Sequence, residues 1–251
     1  MNIALFGYGK MGKMIESIAL SRGHNIVAKI DLDSKNINYA SMDVAIDFSM
    51  PDAAFTNISG CIENNVPVIS GTTGWLEKYD AAVALCNEKK GAFIYASNFS
   101  LGVNVFFELN AYLARMMRSL NQYHVSMEEI HHTQKLDAPS GTAITLAEGI
   151  IENSDYRTWE LNDAKANAKA KDEDEANVET DSNAEEIPIT SKRIGDVPGT
   201  HSIDYKSPVD SIEIKHTAHN REGFALGAVI AAEWIQRKTG VFTMKDVLDL
   251  N

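Results

Sequence analysis

Three glycines directly after the first apolar run constrain the fold of this chain more than any other feature of its sequence. The run Asn2 to Phe6 leads into Gly7, Gly9 and Gly12, which have the spacing G-x-G-x-x-G, and apolar residues then recur at helical spacing. In such a turn the first glycine permits a tight bend, the second lets the backbone approach a pyrophosphate, and the third lets the helix pack closely. The pattern predicts a strand, a turn and a helix, and it favours dinucleotide binding over a plain structural turn.

An acidic side chain stands where the ribose of a bound dinucleotide would lie. Asp31 ends the second predicted strand, about 20 residues after the glycines, where a carboxylate commonly accepts both ribose hydroxyls. A carboxylate repels the 2'-phosphate of NADPH, and the next residue is Leu32, not the arginine that would attract this phosphate. Lys10, Lys13 and Lys35 are close enough in sequence to offset part of the repulsion. We therefore predict that NADH is preferred and that NADPH is tolerated.

Short apolar runs alternate with helical stretches in the N-terminal part of the chain. These strand-like runs, the last at Ala92 to Ala96, are rich in Val, Ile and Ala, which predicts a parallel sheet covered on both faces. After Asn98 a long helix and a strand, His124 to Ile130, precede further strands joined by Gly and Pro turns, which favours a mixed sheet. We predict an α/β fold in which a Rossmann-like parallel sheet nucleotide domain carries an inserted α+β substrate domain with a mixed sheet.

The length of 251 residues and a hydrophobic content of 44% suit two domains better than one. The last predicted helix, Phe224 to Arg237, is assigned to the nucleotide domain. The predicted domains are residues 1–100 and 217–251 for dinucleotide binding, and residues 101–216 for substrate binding and oligomerisation. The segment Asn153 to Glu186 is rich in Ala, Asn and charge, and it is predicted to be an exposed helix or a mobile insertion without chemistry.

The formal net charge of −12 is concentrated in one stretch, because Glu152 to Glu186 contains 12 acidic and 4 basic residues. No basic stripe is visible, so nucleic acid is not a predicted partner. No apolar run approaches the roughly 20 residues of a membrane helix, and the strand-like start is unlike a leader. We predict a cytoplasmic protein without membrane contact. Cys61 and Cys86 lie in unrelated apolar surroundings and are predicted to be reduced packing residues.

The stretch Glu128 to Ala143 carries the most informative set of reactive side chains. It places His131, His132 and Lys135 where a predicted strand passes into a loop, before a Ser-Gly-Thr helix start. An isolated pair of adjacent histidines is more often a pair of loop residues than a functional site. A metal site is not predicted, because no third ligand stands at the usual spacing and both cysteines lie far away in the sequence.

This stretch is similar to the His-His-x-x-Lys-x-Asp-Ala-Pro-Ser-Gly-Thr-Ala signature of the dihydrodipicolinate reductase family. Other stretches that resemble the family stand in the same order around it: Asp47 to Pro51, Gly71 to Gly74, Ser97 to Asn104, Gly195, Gly199 with His201, and Glu213 to Trp234. The resemblance covers about residues 1 to 150 and 187 to 251 and fails only across the acidic segment. The glycine loop departs from the family, because it is shorter than the commoner Gly-x-x-Gly-x-x-Gly form.

The resemblance implies an enzyme that uses NAD(P)H to reduce the cyclic imine formed when 4-hydroxy-tetrahydrodipicolinate loses water, on the route to diaminopimelate and lysine. Hydride addition to a ring carbon leaves negative charge that must be protonated. By position, His131 and Lys135 correspond to the family's catalytic pair. We hypothesise that Lys135 donates the proton or stabilises the charge and that His131 orients and tunes Lys135, and the reverse assignment stays open.

The resemblance also implies a site for a small dicarboxylate. The Ser-Gly-Thr segment opens a helix whose N–H groups can hold a carboxylate, and Gly141 allows close approach. Helix capping is the alternative role for Ser140 and Thr142. Arg193 is a candidate for the second carboxylate, although a solvated strand charge is the favoured interpretation. The implied substrate-binding residues are His132, Lys135, Ser140, Gly141 and Thr142.

The loop Gly71 to Gly74 follows a strand, so it falls at the carboxyl edge of the sheet, where cofactors bind. In the family this loop meets the nicotinamide end of the cofactor, and Phe48 ends the preceding strand at the same edge. For Phe48 and Phe99, core packing is the alternative. The predicted cofactor-binding residues are Gly7, Tyr8, Gly9, Lys10, Met11, Gly12, Asp31, Phe48, Ser49, Gly71, Thr72, Thr73, Ala96, Asn98 and Phe99.

Two other functions fit parts of this pattern. One is another two-domain NAD(P)-dependent oxidoreductase, because the nucleotide half is shared widely. The other is a dinucleotide-sensing module without catalysis, against which His131 and Lys135 argue. The family resemblance further implies a homotetramer that is joined through the sheets of the substrate domains.

Overall fold

A computed structural model describes residues 1–31, 34, 36–162 and 186–250. It divides the chain into two compact units, the first comprising Met1–Asn104 and Glu222–Asn251 and the second comprising Val105–Arg221. Each unit has its own sheet and its own apolar core. The first sheet is entirely parallel and the second is mixed, which confirms the predicted α/β class.

The sheet of the first unit contains six strands: β1 (Asn2–Phe6), β2 (Asn25–Ile30), β3 (Val44–Asp47), β4 (Val68–Ser70), β5 (Ala92–Tyr95) and β11 (Gly240–Phe242). Their order is β11-β5-β4-β3-β1-β2, so the C-terminal part of the chain returns to this sheet by pairing with β5. The chain runs from β1 to β2 on one side and then crosses to β3 on the other. This reversal creates a crevice at the carboxyl ends of β1 and β3, where open α/β sheets bind ligands.

Helices cover both faces of the first sheet: α1 (Lys10–Ser21), α2 (Pro51–Glu63), α3 (Tyr79–Lys89), α6 (Glu222–Trp234) and the short α7 (Met244–Leu248). Along β1, Ile3 and Leu5 join the core that contains α1 and α6, whereas Ala4 and Phe6 join the core that contains α2 and α3. Strands buried on both faces explain why these segments are apolar without alternation. Pro51 begins α2, a position that needs no backbone N–H donor.

The second unit contains five strands: β6 (His124–His131), β7 (Thr158–Asn162), β8 (Glu186–Arg193), β9 (Gly199–Lys206) and β10 (Ser211–Ala218). Their order is β10-β9-β6-β8-β7, with β6 parallel to β8 and antiparallel to β9. Helix α4 (Leu101–Met117), which starts in the first unit, and α5 (Gly141–Asn153) contribute to the core of this sheet. Alternate residues of β6 are buried, and Glu129 and His131 continue the buried set at its carboxyl end.

The segment predicted as an exposed helix or mobile insertion begins instead with a strand. β7 pairs in parallel with β8, and Trp159 packs against the second core. The prediction was wrong for these residues because exposed and half-buried side chains alternate at a sheet edge, which gives a weak apolar signal. Residues 163–185 lie outside the described part of the chain. Among the described residues, no helix is long and apolar enough to cross a membrane.

Alanine at Gly227 is expected to destabilise the protein by about 2 kcal/mol, because its side chain would overlap backbone. A Cβ built on Gly227 in α6 would lie 1.8 Å from the carbonyl oxygen of Phe99. The free energy of unfolding in urea measures this effect. Gly223→Ala on the same helix is the control, since its Cβ would be 3.5 Å from Ser100 Oγ, an ordinary contact. Equal stability of the two variants would contradict the expected overlap.

Candidate active site

The carboxyl ends of β1, β2 and β3 border a pocket of about 520 Å³ in the first unit. This volume lies in the range of small-molecule and cofactor sites. The pocket lies at the crevice between β1 and β3, and residues that were predicted from separate stretches of sequence meet in its wall. The predicted cofactor residues that line it are Gly7, Tyr8, Gly9, Asp31, Phe48 and Ser49.

The three glycines of the first loop differ in what surrounds them. Gly7 has φ +86°, and a Cβ there would be 2.2 Å from the carbonyl oxygen of Phe48. A Cβ on Gly12 would be 2.4 Å from the carbonyl oxygen of Gly7, so this glycine lets α1 pack on its own loop. A Cβ on Gly9 would meet nothing within 4 Å. The space beside Gly9 is therefore open to a ligand, as the pyrophosphate prediction requires.

Helix α1 begins at this loop without a side-chain cap. Its N-cap residue is Gly9, which has no side chain to accept hydrogen bonds from the first turn. The N-terminus of such a helix offers backbone N–H donors and a partial positive charge to an anion. The open space at Gly9 and this helix end together fit the pyrophosphate of a dinucleotide.

The Tyr8 side chain lies in a cluster with Glu16 and Lys29. Lys29 Nζ donates to the Tyr8 hydroxyl at 3.0 Å, lies 4.4 Å from the centre of the Tyr8 ring and is 2.7 Å from Glu16 Oε1. The Tyr8 hydroxyl also contacts Glu16. The hydrogen bond with Glu16 raises the pKa of Lys29, so its positive charge is held by an internal partner.

Asp47, which was quoted in a motif but not predicted to act, joins the loops that follow β3 and β4. Its side chain is fully buried. Its Oδ2 accepts hydrogen bonds from Ser70 Oγ at 2.8 Å and Thr72 Oγ1 at 2.7 Å. Its Oδ1 accepts from Ser49 Oγ at 2.6 Å and from Asn57 Nδ2 at 3.0 Å. The carboxylate therefore fixes the positions of two loops that were predicted to meet the cofactor.

A second pocket, of about 250 Å³, lies beside these loops in the first unit. A Cβ on Gly71 would be 2.3 Å from the Phe48 ring, so glycine is needed for the ring to rest there. Since Phe48 and Ser49 border both pockets, the structure brings the two groups of predicted cofactor residues together. The predicted residues that line this second pocket are Met11, Phe48, Ser49, Gly71, Thr72 and Thr73.

The other predicted cofactor residues line neither pocket. Phe99 is fully buried in the first core and packs against Phe48 with ring centres 5.8 Å apart. This agrees with core packing, the alternative role given for Phe99 in the sequence analysis. Asn98 is buried, and its Oδ1 accepts a hydrogen bond from the Ser100 N–H at 2.9 Å. Ala96 is partly buried beside the same core. Lys10 is exposed at the start of α1, and Gly12 serves packing.

In the second unit, one buried carboxylate organises the predicted catalytic stretch. Both oxygens of Glu129, which is 0% exposed, lie 3.1 Å from the Ser140 N–H that donates to them. Its Oε2 lies 3.4 Å from His131 Nδ1 and 3.6 Å from His201 Nε2. Its Oε1 accepts from Arg193 Nη2 at 3.1 Å and from the hydroxyl of Ser191. Glu129 therefore contacts groups from β6, β8, β9 and the start of α5.

These contacts decide the charge states in the cluster. Burial acts to raise the pKa of the Glu129 carboxyl, but the surrounding imidazole, hydroxyl and amide donors outweigh it and hold this pKa far below its usual value. Burial lowers the pKa of His201; Glu129 acts in the opposite direction, and the nearby His131 lowers it further. The two imidazole rings are 5.1 Å apart, so they would repel each other if both were charged. The carboxylate is thus ionised, and His201 favours its neutral form.

Arg193 is neither a solvated charge nor a free anion contact. Besides Glu129, its guanidinium donates to the carbonyl oxygens of Lys135 at 3.3 Å and Asp137 at 2.5 Å. The favoured prediction for Arg193 was wrong because β8 places it beside β6, opposite His131. Its side chain, 21% exposed, holds the loop after His131 in place.

Lys135 extends from this loop, and its ammonium contacts both oxygens of Asp137 at 2.8 Å. The hydrogen bond with Lys135 lowers the pKa of Asp137. His132 is half-buried, and its ring makes no hydrogen bond to the described part of the chain. The imidazole that the structure pairs with His131 is thus His201 and not the adjacent His132. The contact of Lys135 is likewise with Asp137 and not with His131.

Ser140 caps α5, as the alternative role expected, because its Oγ accepts from the Ala143 N–H at 3.2 Å. The same Oγ lies 3.1 Å from His201 Nε2, and Ser140 is only 2% exposed. Gly141 is exposed, and a Cβ there would meet nothing within 4 Å, which leaves room for a ligand at the helix start. Thr142 follows and is half-buried. The open part of this predicted anion site therefore lies at Gly141.

Glu129, His131 and His201 could also hold a metal ion by geometry alone, since their ligand atoms lie within 4.8 Å of one another. The prediction of no metal rested on local spacing, and the fold supplies the third ligand from β9. However, Arg193 already balances the charge of the carboxylate, and the Ser140 N–H contacts both of its oxygens. A further cation is disfavoured beside a guanidinium in a buried cluster.

Sequence reasoning assigned no role to three residues that shape the pockets of the first unit or the cluster of the second: Asp47, Glu129 and His201. Glu129 carries a usable signal, because it stands two residues before His131 and strand alternation puts both on one face. His201 becomes visible only with the sheet register, which pairs it with Glu129. Asp47 ends a fully buried strand, so a carboxylate there must find hydrogen-bond partners.

Two family models match nearly all of the chain. Residues 1–99 match "Dihydrodipicolinate reductase, N-terminus", and residues 102–248 match "Dihydrodipicolinate reductase, C-terminus". Among curated relatives, the 4-hydroxy-tetrahydrodipicolinate reductase of Christiangramia forsetii is 57% identical, and the match covers 99% of this chain and 98% of the relative. The enzyme of the same name from Neisseria gonorrhoeae is 35% identical, with 94% and 84% covered.

Solved structures agree with the fold. A dihydrodipicolinate reductase from Paenisporosarcina sp. TG-14, described as dipicolinate-bound, superposes with a TM-score of 0.74 at 23% identity, and 97% of each chain is covered. A structure described as a probable dehydrogenase from Thermotoga maritima gives a TM-score of 0.58 at 9% identity, with 98% of this chain and 92% of that chain covered. On the family models and the identity to curated relatives, this chain belongs to the dihydrodipicolinate reductase family.

Proposed function

We propose that this chain reduces 4-hydroxy-tetrahydrodipicolinate to tetrahydrodipicolinate with NAD(P)H, on the route to diaminopimelate and lysine. The observation that carries the proposal is the cluster at Glu129, which contacts His131 and the start of α5 directly and the backbone of Lys135 through Arg193, in a chain 57% identical to a curated enzyme of that name. We assign dinucleotide binding to the first unit and substrate binding to the second. The reaction consumes a hydride and a proton, and the substrate loses water.

The first unit fits a nicotinamide dinucleotide, which supplies the hydride when bound. Gly7 and Gly12 occupy positions where a Cβ would collide with backbone, whereas the space at Gly9 is open. The uncapped start of α1 offers N–H groups to the pyrophosphate, and Asp31 in the same pocket offers a carboxylate to the ribose. The loop from Gly71 to Thr73, held by Asp47, is assigned to the nicotinamide end.

In the second unit, the predicted catalytic pair is assigned to stabilise and protonate the negative charge that hydride addition leaves on the substrate ring. Lys135 is assigned as the proton donor or charge stabiliser, because its side chain is 22% exposed and its ammonium is held by a surface carboxylate. His131 is 7% exposed, and its ring is assigned to orient and tune Lys135. The start of α5 at Gly141 receives one substrate carboxylate, to which His132 is assigned as a further contact.

The function is tested in an assay in which the unstable substrate is made in the same reaction mixture. Aspartate semialdehyde, pyruvate and the synthase that condenses them are mixed with the protein and NADH, and the loss of nicotinamide absorbance is followed. We expect NADH oxidation that depends on both the synthase and this protein. The synthase alone and this protein with aspartate semialdehyde alone are the controls. Absence of oxidation that needs both proteins would overturn the proposed function.

NADH is proposed as the preferred cofactor, with NADPH tolerated. Asp31 lines the pocket and repels a 2'-phosphate, and Glu16 already holds the charge of Lys29. We expect Glu16→Gln to release Lys29 and to raise kcat/KM for NADPH about fivefold, with the value for NADH changed less than about twofold. Steady-state kinetics with both cofactors measures this.

The matched control for the cofactor prediction is Glu88→Gln, which removes an exposed glutamate paired with Lys89 at 3.1 Å on α3. Its cofactor preference should equal that of the wild type. An unchanged kcat/KM for NADPH in Glu16→Gln would show that the ion pair with Glu16 does not keep Lys29 from the 2'-phosphate. A wild-type preference for NADPH above about tenfold would overturn the proposed NADH preference itself.

A homotetramer in the cytoplasm is proposed as the working form. The proposed family function supports a cytoplasmic location, because the reaction belongs to amino-acid biosynthesis. The second sheet supports assembly, since Glu213, Lys215 and Thr217 on its edge strand β10 are exposed. Light scattering after size-exclusion chromatography would give the mass of a tetramer, and a monomer mass would overturn this assembly.

A further inference from the structure

Glu129 touches both groups on which the proposed reaction depends. On one side its Oε2 lies 3.4 Å from the buried Nδ1 of His131. On the other side both of its oxygens accept from the Ser140 N–H, directly before the helix start at Gly141. A single buried charge therefore holds the imidazole and the anion site in one arrangement.

We infer that Glu129 is a positioning residue, which holds the His131 ring and the start of α5 in place while it touches neither substrate nor cofactor. The inference deepens the proposed function and rests on it for the kinetic readouts. Glu129 is 0% exposed, so it acts only through its neighbours. Its charge is balanced by Arg193, which also holds the backbone of the loop that carries Lys135.

The two imidazoles beside Glu129, those of His131 and His201, are close enough to affect each other. Glu129 favours a positive charge on an imidazole beside it, and two imidazoles 5.1 Å apart disfavour sharing that charge. Burial and His131 both lower the pKa of His201. His201 therefore favours its neutral form. The Nε2 of His201 also lies 3.1 Å from Ser140 Oγ, so this ring joins Glu129 to the residue that caps α5.

Charged and titratable groups reach this cluster from every neighbouring element. Arg193 comes from β8, and His201 comes from β9. On β10, His216 stands opposite His201 in the sheet register, and burial, together with the nearby His201 and His219, lowers the pKa of His216. Lys135 and Asp137 come from the loop, where they bind each other. Glu129 is the carboxylate of this set that lies within 4 Å of both His131 and His201.

The test is Glu129→Gln, which keeps the shape of the side chain and removes its charge. We expect kcat to fall roughly 30-fold, as for an imidazole that loses its orienting carboxylate, with the Kd for NADH unchanged. The pH profile of kcat should also change, because a carboxylate oxygen 3.4 Å from His131 Nδ1 favours the protonated imidazole and an amide does not. The KM for substrate should rise, since the start of α5 loses its anchor.

The matched control is Glu128→Gln, the same change at the adjacent position on β6. Glu128 points to the other face, is partly exposed and pairs with Lys192 at 2.5 Å. Its kcat and pH profile should equal those of the wild type. A second readout needs neither substrate nor cofactor: nitrogen-15 NMR of the histidines, assigned with His131→Gln. The midpoint for His131 should fall in Glu129→Gln and stay unchanged in Glu128→Gln.

These readouts separate the two proposals. If the wild type and Glu128→Gln do not turn over the substrate, the proposed function fails, and the NMR titration still decides the role of Glu129. If the wild type is active and Glu129→Gln keeps its kcat, pH profile and titration, the positioning role is overturned. If Glu129→Gln does not fold, Glu129→Asp replaces it, and we expect a smaller kcat loss with a smaller pH shift. A kcat loss in that variant without any shift in pH profile or titration would overturn the inference, because it would mark Glu129 as merely structural.

Discussion

Replacing Lys135 by alanine is expected to lower kcat about 100-fold or more while the Kd for NADH stays within about twofold of the wild-type value. Lys135 is the more accessible member of the predicted catalytic pair, and within the described residues its ammonium contacts Asp137, at 2.8 Å. Asp137 is 59% exposed and becomes hydrated when Lys135 is lost, so the fold should be nearly unaffected. Turnover in the synthase-coupled assay and fluorescence titration with NADH measure the two quantities.

Two further variants sharpen this prediction. Lys192→Ala is the control, because it removes a lysine from the same unit that pairs with Glu128. Lys135→Arg separates the two roles left open for the lysine, since arginine keeps the charge and cannot give up a proton. Recovery of turnover in Lys135→Arg would mark the group as a charge stabiliser, and loss as severe as in Lys135→Ala would mark it as the donor. Normal turnover in Lys135→Ala would remove Lys135 from the mechanism and leave the family assignment intact.

The sequence was informative where a local pattern fixes local geometry. The order of apolar run, glycines and helical spacing predicted β1, its turn and α1, because all of these contacts lie within a few residues. Gly7 shows how far such reasoning reaches: its turn was predicted, but its close neighbour, the Phe48 carbonyl oxygen, comes from β3. The helix start at Ser140 was predicted for the same local reason, and the hydrogen bond to the Ala143 N–H shows the cap.

The catalytic half depended on contacts that sequence spacing does not contain. Arg193 and His201 reach Glu129 because β8 and β9 flank β6 with a particular register, which pairs His131 with Arg193 and Glu129 with His201. A one-residue change of register would turn these side chains to the opposite face. This is why Arg193 was taken for a solvated charge and His131 was grouped with His132. Its neighbour in space, His201, comes from a distant strand.

Replacing Gly9 by alanine is expected to weaken NADH binding about 100-fold without lowering stability. Gly9 has φ −80°, which alanine adopts, and the added Cβ meets no atom within 4 Å, so the protein alone should accept it. The same Cβ occupies the space through which a pyrophosphate approaches the N-terminus of α1. Loss of two charge-assisted hydrogen bonds of about 1.5 kcal/mol each corresponds to roughly this change in affinity.

Gly141→Ala is the reciprocal variant for the second unit, because its Cβ also meets nothing within 4 Å at the start of α5. Gly141→Ala should raise the KM for substrate and weaken the binding of a pyridine dicarboxylate inhibitor, with NADH binding unchanged. Gly9→Ala should weaken NADH binding and leave the binding of the inhibitor unchanged. Calorimetric titration of each variant with both ligands, together with thermal melting, distinguishes these effects. Unchanged NADH affinity in a stable Gly9→Ala protein would mean that the pyrophosphate does not approach Gly9. The shorter glycine loop of this chain would then hold the dinucleotide in another way than its sequence pattern predicts.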